Sequence, residues 1–187
     1  PSDIINSIKN TLKNLEKRPT IKKSEITKFK ELFKVIKSFI KEKNFPKYQE
    51  CLVHGDAFPS NLVVNKKVKI IDWQNPTIRD PAYDLWNFMS KAANLWDLNN
   101  VISEDQKEIF LRTYLEHRKD TKIRERIKIK EPLYLLQLAL YSFGRYNDYK
   151  TEKIPKEVTK GRENNFKKYK KNSSDCIKEL EQLLNLN

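Results

Sequence analysis

CLVHGDAFPSNLVVNKKVKIIDWQNPTIRDPAYDLWNFM, residues 51–89, is the stretch of sequence that decides the fold. Within it, two short runs rich in β-branched residues, 61–64 and 68–71, flank the polar triplet Asn65-Lys66-Lys67. Two such runs joined by a short polar connection predict a β-hairpin. We therefore expect one small hairpin in a chain whose other periodic segments are helical.

This hairpin would place two oxygen-bearing side chains next to each other. Asn61 stands at the start of the first strand, and Asp72 directly follows the second strand. Mg²⁺ prefers oxygen ligands and takes few of them from the protein, because substrate phosphates and water supply the rest. The mouth of the hairpin is therefore a predicted magnesium site, and it leaves Asp56, in the preceding His54-Gly55-Asp56, free to act on a second substrate.

The combined motif resembles that of a known enzyme family. H-G-D-x4-N begins at His54, an apolar run ends in I-D-W at Trp73, and D-P-A-x-D-L ends at Leu85. In this respect the chain is similar to the aminoglycoside phosphotransferases and choline-kinase-like small-molecule kinases, which are relatives of the protein kinases. The resemblance implies a mainly α fold with a small β-hairpin, namely the C-terminal catalytic lobe of a two-lobed α+β kinase-like protein.

The resemblance also implies roles for the polar residues of the motif. Asp56 would be the catalytic aspartate, which orients the substrate hydroxyl and accepts its proton, while Asn61 and Asp72 would hold Mg²⁺ on the phosphates of ATP or GTP. Gln74, where protein kinases have a glycine two residues after the metal-binding aspartate, fits the small-molecule branch better.

Four further residues would support the site. His54 would be structural, Asp84 would brace the catalytic loop through hydrogen bonds, and Val63 and Ile71 would line the adenine site. Each motif residue also has a plain structural interpretation. Aspartate and asparagine commonly occupy turns, a lone histidine is often a core residue, and Asp84 suits the first turn of a helix after Pro81. The combined spacing favours the kinase-like interpretation.

Composition limits the alternatives. The chain has 187 residues, enough for one domain or one lobe, and we expect a single lobe divided into residues 1–50, 51–89 and 90–187. No run of about eighteen apolar residues and no basic-then-apolar leader is present, so we expect no membrane partner and a cytoplasmic location. Cys51 and Cys176 are far apart and lack a C-x-x-C partner, which argues against a zinc site or a disulfide framework.

A net charge of +13 raises the alternative of a basic, nucleic-acid-binding helical domain. Residues 1–50 carry 13 basic and 6 acidic side chains, residues 51–100 carry 5 of each, and residues 101–187 carry 20 and 14. The motif thus lies in the neutral part, and the lysines are spread over helix faces. This distribution disfavours nucleic acid as a partner.

Hydrophobic periodicity predicts a series of helices around the motif. We expect a helix from Ser2 to about Lys17 and a second from near Ser24 that Asn44-Phe45-Pro46 stops. Further helices are expected from Ala82 to about Leu95, from a capping box at Ser103, from Pro132 through Phe143, and from about Arg162 onward. Residues 144–161 are expected to be irregular. Tyr141, Tyr146 and Tyr149 are candidates for an aromatic acceptor site, with a role in helix packing as the alternative.

A complete kinase of this type also needs a phosphate-covering glycine loop. The chain contains three glycines, Gly55, Gly144 and Gly161, and no glycine-rich loop. We therefore expect that the N-terminal nucleotide lobe is missing and that these residues alone turn over negligibly. The expected partners are a nucleotide, a small hydroxylated metabolite and the missing lobe, and the remaining alternative is a pseudokinase or interaction module. The net positive charge of residues 101–187 weakly disfavours polycationic aminoglycosides as acceptors.

Overall fold

The structure is a computed structural model that describes residues 2–94 and 101–186. It is mainly helical, with two small antiparallel strand pairs. The helices are α1 (Ser2–Glu16), α2 (Lys23–Lys41), α3 (Ala82–Met89), α4 (Glu104–His117), α5 (Ile123–Lys150), α6 (Lys156–Thr159) and α7 (Glu163–Leu183), and the strands are β1 (Cys51–Val53), β2 (Leu62–Val64), β3 (Val68–Ile70) and β4 (Thr77–Arg79).

The chain forms two compact units. The helical unit comprises the described residues of 1–43 and 130–187, and the site unit comprises the described residues of 44–129. The boundary between them falls within α5. The division of one lobe into residues 1–50, 51–89 and 90–187 stays a prediction.

Helix α5 is the centre of the helical unit. Its buried leucines include Leu133, Leu136 and Leu140. On one side Gln137 Nε2 donates to Ser7 Oγ of α1 at 3.1 Å, and on another Ser173 Oγ of α7 donates to the backbone oxygen of Ala139 at 2.9 Å. A helix surrounded by neighbours is apolar almost all round, which explains its weak amphipathic pattern.

The sequence prediction for α5 was wrong at both ends. The expected start at Pro132 lies inside the helix, which begins at Ile123, and the helix continues beyond Phe143 to Lys150. Proline removes one helical hydrogen bond and normally breaks a helix. Here Pro132 is fully buried, and burial of the surrounding leucines offsets that loss. Residues 144–161 are therefore partly helical, since they also contain α6.

Helix α3 is shorter than the sequence suggested. It ends at Met89, because Ser90 is extended, with φ −77° and ψ 125°. The side-chain Nδ2 of Asn94 donates to the backbone oxygen of Ser90 at 2.8 Å and so satisfies a carbonyl beyond the helix end. The predicted end at Leu95 lies outside the described residues.

The capping box at Ser103 is confirmed. Ser103 Oγ accepts from the Gln106 amide at 3.3 Å, and Gln106 Oε1 accepts from the Ser103 amide at 2.8 Å. In the described part of the chain, no helix has both the length and the apolar character that a membrane crossing requires.

The predicted hairpin is present in the site unit. Strands β2 and β3 pair antiparallel, with Leu62 opposite Ile70 and Val64 opposite Val68. Its apolar side chains remain accessible, since Val64 is 73% and Val68 64% exposed. A second pair, β1 with β4, was not predicted. Each strand has only three residues, and most of the motif separates them in the sequence, so no local pattern indicates the pairing.

Candidate active site

The two strand pairs carry the motif at their ends. Strand β1 ends at Val53, immediately before His54-Gly55-Asp56, and β4 ends at Arg79, immediately before Asp80. Because Cys51 pairs with Arg79 and Val53 with Thr77, the two strands are held in one register. The sheet thus fixes where both halves of the motif begin.

The carboxylate of Asp84, in the first turn of α3, holds the loop after β1. Its Oδ2 accepts from the His54 amide at 2.6 Å and its Oδ1 from the Gly55 amide at 3.0 Å. Hydrogen bonds from backbone amides to an ionised carboxylate are among the stronger ones in proteins. Asp84 therefore lies where it can brace the loop that presents Asp56.

His54 is a buried structural link between this loop and the hairpin. It is 2% exposed, its Nδ1 accepts from the Asp56 amide at 3.3 Å, and its Nε2 lies 2.8 Å from the backbone oxygen of Ile71. Because Nδ1 accepts, the ring proton sits on Nε2 and donates to Ile71. Trp73 packs against the imidazole with ring centroids 4.6 Å apart.

Gly55 occupies a position that only glycine tolerates. Its φ is +82°, and a Cβ built there would lie 2.3 Å from the backbone oxygen of Asn75. Left-handed backbone is strained for other residues, and a 2.3 Å contact with backbone has no flexible neighbour to relieve it. The loop after β1 can therefore approach the residues after β3 this closely only through glycine.

We expect Gly55→Ala to lower the free energy of unfolding of the site unit by about 2–4 kcal/mol, the sum of backbone strain and overpacking. Gly161→Ala is the matched control, since Gly161 also has positive φ (+72°) but has no atom within 4 Å of the added Cβ. It should cost about 1 kcal/mol. Denaturant unfolding of both variants measures the difference, and equal losses would show that the Asn75 contact carries no cost.

Asp56, Asn61 and Asp72 lie together in the structure. Asn61 Nδ2 donates to the backbone oxygen of Asp56 at 2.8 Å, and the Ile71 amide donates to the backbone oxygen of Asn61 at 3.0 Å, which extends the hairpin by one pair. Asp72, next in sequence, is exposed and has a left-handed φ of 66°. Strained backbone at a non-glycine residue is common at functional sites.

The carboxylates of Asp56 and Asp72 interact electrostatically. The pKa of Asp56 is raised above its usual range, first because the carboxyl is partly buried and second because the negative charge of Asp72 repels it. The electrostatic effect of His54 and, after it, hydrogen bonding from Asn61 partly oppose this rise. A carboxylate with a raised pKa is a better proton acceptor at neutral pH.

The chemistry of these donors fits a hard divalent cation. The Nδ2 of Asn61 is engaged with Asp56, so its Oδ1 is the amide's remaining acceptor, and Asp72 contributes an exposed carboxylate. Within residues 2–94 and 101–186, no three His, Cys, Asp or Glu side chains gather as a metal cluster. A site with two protein ligands, in which phosphates and water supply the rest, is typical of Mg²⁺ and not of a structural metal.

Val63 and Ile71, the predicted adenine-site residues, share one face of the hairpin. Val63 pairs with Lys69, and Ile71 follows Lys69 by two residues, so these three side chains lie on the same side. Val63 is 46% and Ile71 45% exposed. Two apolar side chains are thus accessible beside the Asn61 amide.

The three predicted acceptor-site tyrosines belong to the helical unit, where each contacts α7. Tyr141 meets Tyr169 edge to face at 5.9 Å, and Tyr149 stacks on Phe166 at 4.6 Å. Lys170 Nζ lies 5.8 Å from the ring centroid of Tyr146. Helix packing accounts for these contacts, although Tyr141 remains 52% exposed. Their role at an acceptor site stays a prediction.

The sequence reasoning missed a buried ion cluster beside the motif. Asp80, 1% exposed, accepts two hydrogen bonds from Arg126, and Arg126 also bonds Asp120. The sequence does contain a signal for Asp80, because it is the one aspartate of the D-P-A-x-D-L run to which no role was assigned. Arg126 lies 46 residues away, and no local pattern points to it.

Comparison with protein families identifies the class. A model of the phosphotransferase enzyme family (APH) matches residues 11–126, which is more than half of the chain and includes every residue of the motif. The chain belongs to the phosphotransferase enzyme family, and the resemblance drawn from the motif is confirmed. Comparisons with curated proteins and with solved structures returned no match.

Proposed function

We propose that the protein transfers the γ-phosphoryl group of ATP or GTP to a hydroxyl group of a small molecule, with Mg²⁺ as cofactor. Family membership supports phosphotransfer in general. The observation that carries the finer proposal is the grouping of Asp56 with Asn61 and Asp72 at the mouth of the hairpin. The kinase-like lobe is the fold that we propose for this arrangement.

In this proposal Asp56 orients the acceptor hydroxyl and accepts its proton. Its raised pKa suits that task, and the brace from Asp84 fixes the loop so that little reorganisation is needed. Phosphoryl transfer requires little covalent chemistry from the protein and depends on positioning and on charge stabilisation.

Asn61 Oδ1 and the Asp72 carboxylate would hold the magnesium ion. The ion would supply positive charge against the phosphate oxygens. Val63 and Ile71 would contact the base of the nucleotide. We propose that the acceptor is a hydroxylated metabolite, with Tyr141, Tyr146 and Tyr149 as candidates for its binding.

We further propose that turnover requires a phosphate-covering segment outside these 187 residues. The three glycines of the chain are isolated from each other, so none forms a glycine-rich loop. The isolated chain should therefore bind Mg-nucleotide weakly.

The metal site can be tested on the chain itself. Mn²⁺ in substoichiometric amounts should broaden the amide resonances of Asn61, Asp72 and Asp56 before those of the helical unit, and excess Mg²⁺ should reverse the effect. Broadening spread over the surface carboxylates would contradict the site. Product formation from ATP and from GTP with a panel of sugars, amino alcohols and aminoglycosides then tests phosphotransfer in the longest natural form of the protein.

A further inference from the structure

The guanidinium of Arg126 is enclosed by two carboxylates. Its Nε donates to Asp80 Oδ2 at 3.0 Å and its Nη2 to Asp80 Oδ1 at 3.2 Å. Its Nη1 donates to Asp120 Oδ1 at 2.8 Å, and Nη2 also bonds Asp120 Oδ2. The side chain of Arg126 is fully buried, and Tyr48 covers it with its ring centroid 5.4 Å from Cζ.

Such a cluster is costly to bury unless its geometry is well matched. Burial opposes the charge on Arg126, but the hydrogen bonds to Asp120 and Asp80 outweigh burial and hold its pKa above the usual range. The planar guanidinium can engage two carboxylates side by side, which an ammonium group cannot do. The cluster therefore fixes the position of Asp80 more firmly than a surface ion pair would.

Asp80 transmits this constraint to the proposed active site by two short routes. It directly follows β4, which pairs with β1 and hence with the residues before His54. Its Oδ1 also accepts from the Ala82 amide at 3.0 Å, which fixes the first turn of α3, where Asp84 lies. Asp84 in turn holds the amides of His54 and Gly55.

We propose that Arg126 is a positioning residue for phosphotransfer, which acts through Asp80 and Asp84 to hold the loop that presents Asp56. The proposal rests on the role of Asp56 given above. The side chain of Arg126 is fully buried and presents no surface to a nucleotide or acceptor, so its replacement should lower kcat while the KM values stay the same.

The chain contains a matched control for this residue. Arg124, also in the first turn of α5, makes an equally bidentate pair with Glu108, with distances of 2.7 and 2.6 Å, but Glu108 lies on the surface. Arg124→Lys and Arg126→Lys remove the same fork of donors from the same helix turn. A general effect of arginine on α5 would appear in both variants.

The decisive measurement is amide hydrogen exchange in the 187-residue chain, which needs no activity. Arg126→Lys should speed exchange of the His54 and Gly55 amides by at least about tenfold, because local opening is easier once the brace is loose. Arg124→Lys should change it by less than about threefold. The amide of Val63, which faces Lys69 at a hydrogen-bonded position of the β2–β3 pair, should be unaffected by either change.

Two results would overturn the proposal: unchanged exchange at His54 and Gly55, or an equal acceleration at β2, which would mean a general loss of stability. If Arg126→Lys does not fold, Asp120→Asn decides by the same criterion, since it weakens one edge of the guanidinium and leaves the Asp80 pair. In the active protein, kcat should fall about 10- to 100-fold in Arg126→Lys. If the wild type transfers no phosphoryl group, the proposed function fails while the exchange measurement still decides the role of Arg126.

Discussion

Replacing Asp56 by Asn is expected to lower the rate of the proposed phosphotransfer by about 10²- to 10⁴-fold, the usual contribution of a general base. The amide keeps the shape of the side chain but cannot accept the proton of the acceptor hydroxyl. We expect this loss in kcat with little change in the binding of nucleotide. Steady-state rates of the active protein measure it, and an activity within a factor of about three of wild type would refute the assigned role.

The same substitution has the opposite effect on stability. The folded-state pKa of Asp56 is raised above its ordinary value near 3.8, because burial and Asp72 disfavour the ionised form. The ionised carboxylate therefore destabilises the fold, and stability falls as pH rises through this raised pKa. At neutral pH the Asp56→Asn variant should unfold at the same temperature as wild type or higher. A lower unfolding temperature would contradict the repulsion by Asp72.

If Asp72 is the proposed magnesium ligand, its replacement by Asn should raise the Mg²⁺ concentration required for half-maximal activity by more than about 100-fold. That exceeds the effect of losing a group that only orients a metal ligand. The substitution removes the charged donor and leaves two neutral amides at positions 61 and 72. It also removes the charge that raises the pKa of Asp56, so the pKa of Asp56 should fall toward its usual range. Activity as a function of magnesium, measured at fixed nucleotide, tests the first effect.

Asp175→Asn is the control for charge, since Asp175 lies in α7 and pairs with Lys171 on the surface. It should leave the magnesium requirement unchanged. An equal shift in both variants would show that net charge, and not coordination, controls the response to magnesium.

The motif and the hairpin could be predicted because their signals are local. Residues 61–64 and 68–71 are two short runs rich in β-branched residues with a polar turn between them, and the spacing from His54 to Asp84 is fixed by adjacent short elements. The helix boundaries were predictable where a cap was visible, as at Ser103, whose side chain and that of Gln106 exchange hydrogen bonds with the backbone.

The rest depends on contacts between distant residues. A proline such as Pro132 would end an exposed helix, but α5 continues through Pro132 because the surrounding leucines are buried. The pairing of β1 with β4 and the ion cluster of Asp80 and Arg126 join residues that lie far apart in the sequence. Neither has a periodic pattern of its own, so neither could be read from one sequence.

The accessible valines of the hairpin also bear on how the protein behaves at high concentration. Val64 and Val68 are mostly exposed. Among the described residues, β2 and β3 pair only with each other, so each has an open edge, an arrangement that promotes association between copies. Lys66, Lys67 and Lys69 lie in the same hairpin and repel the corresponding lysines of another copy. Since added salt screens this repulsion, the colloidal stability of the protein depends on ionic strength.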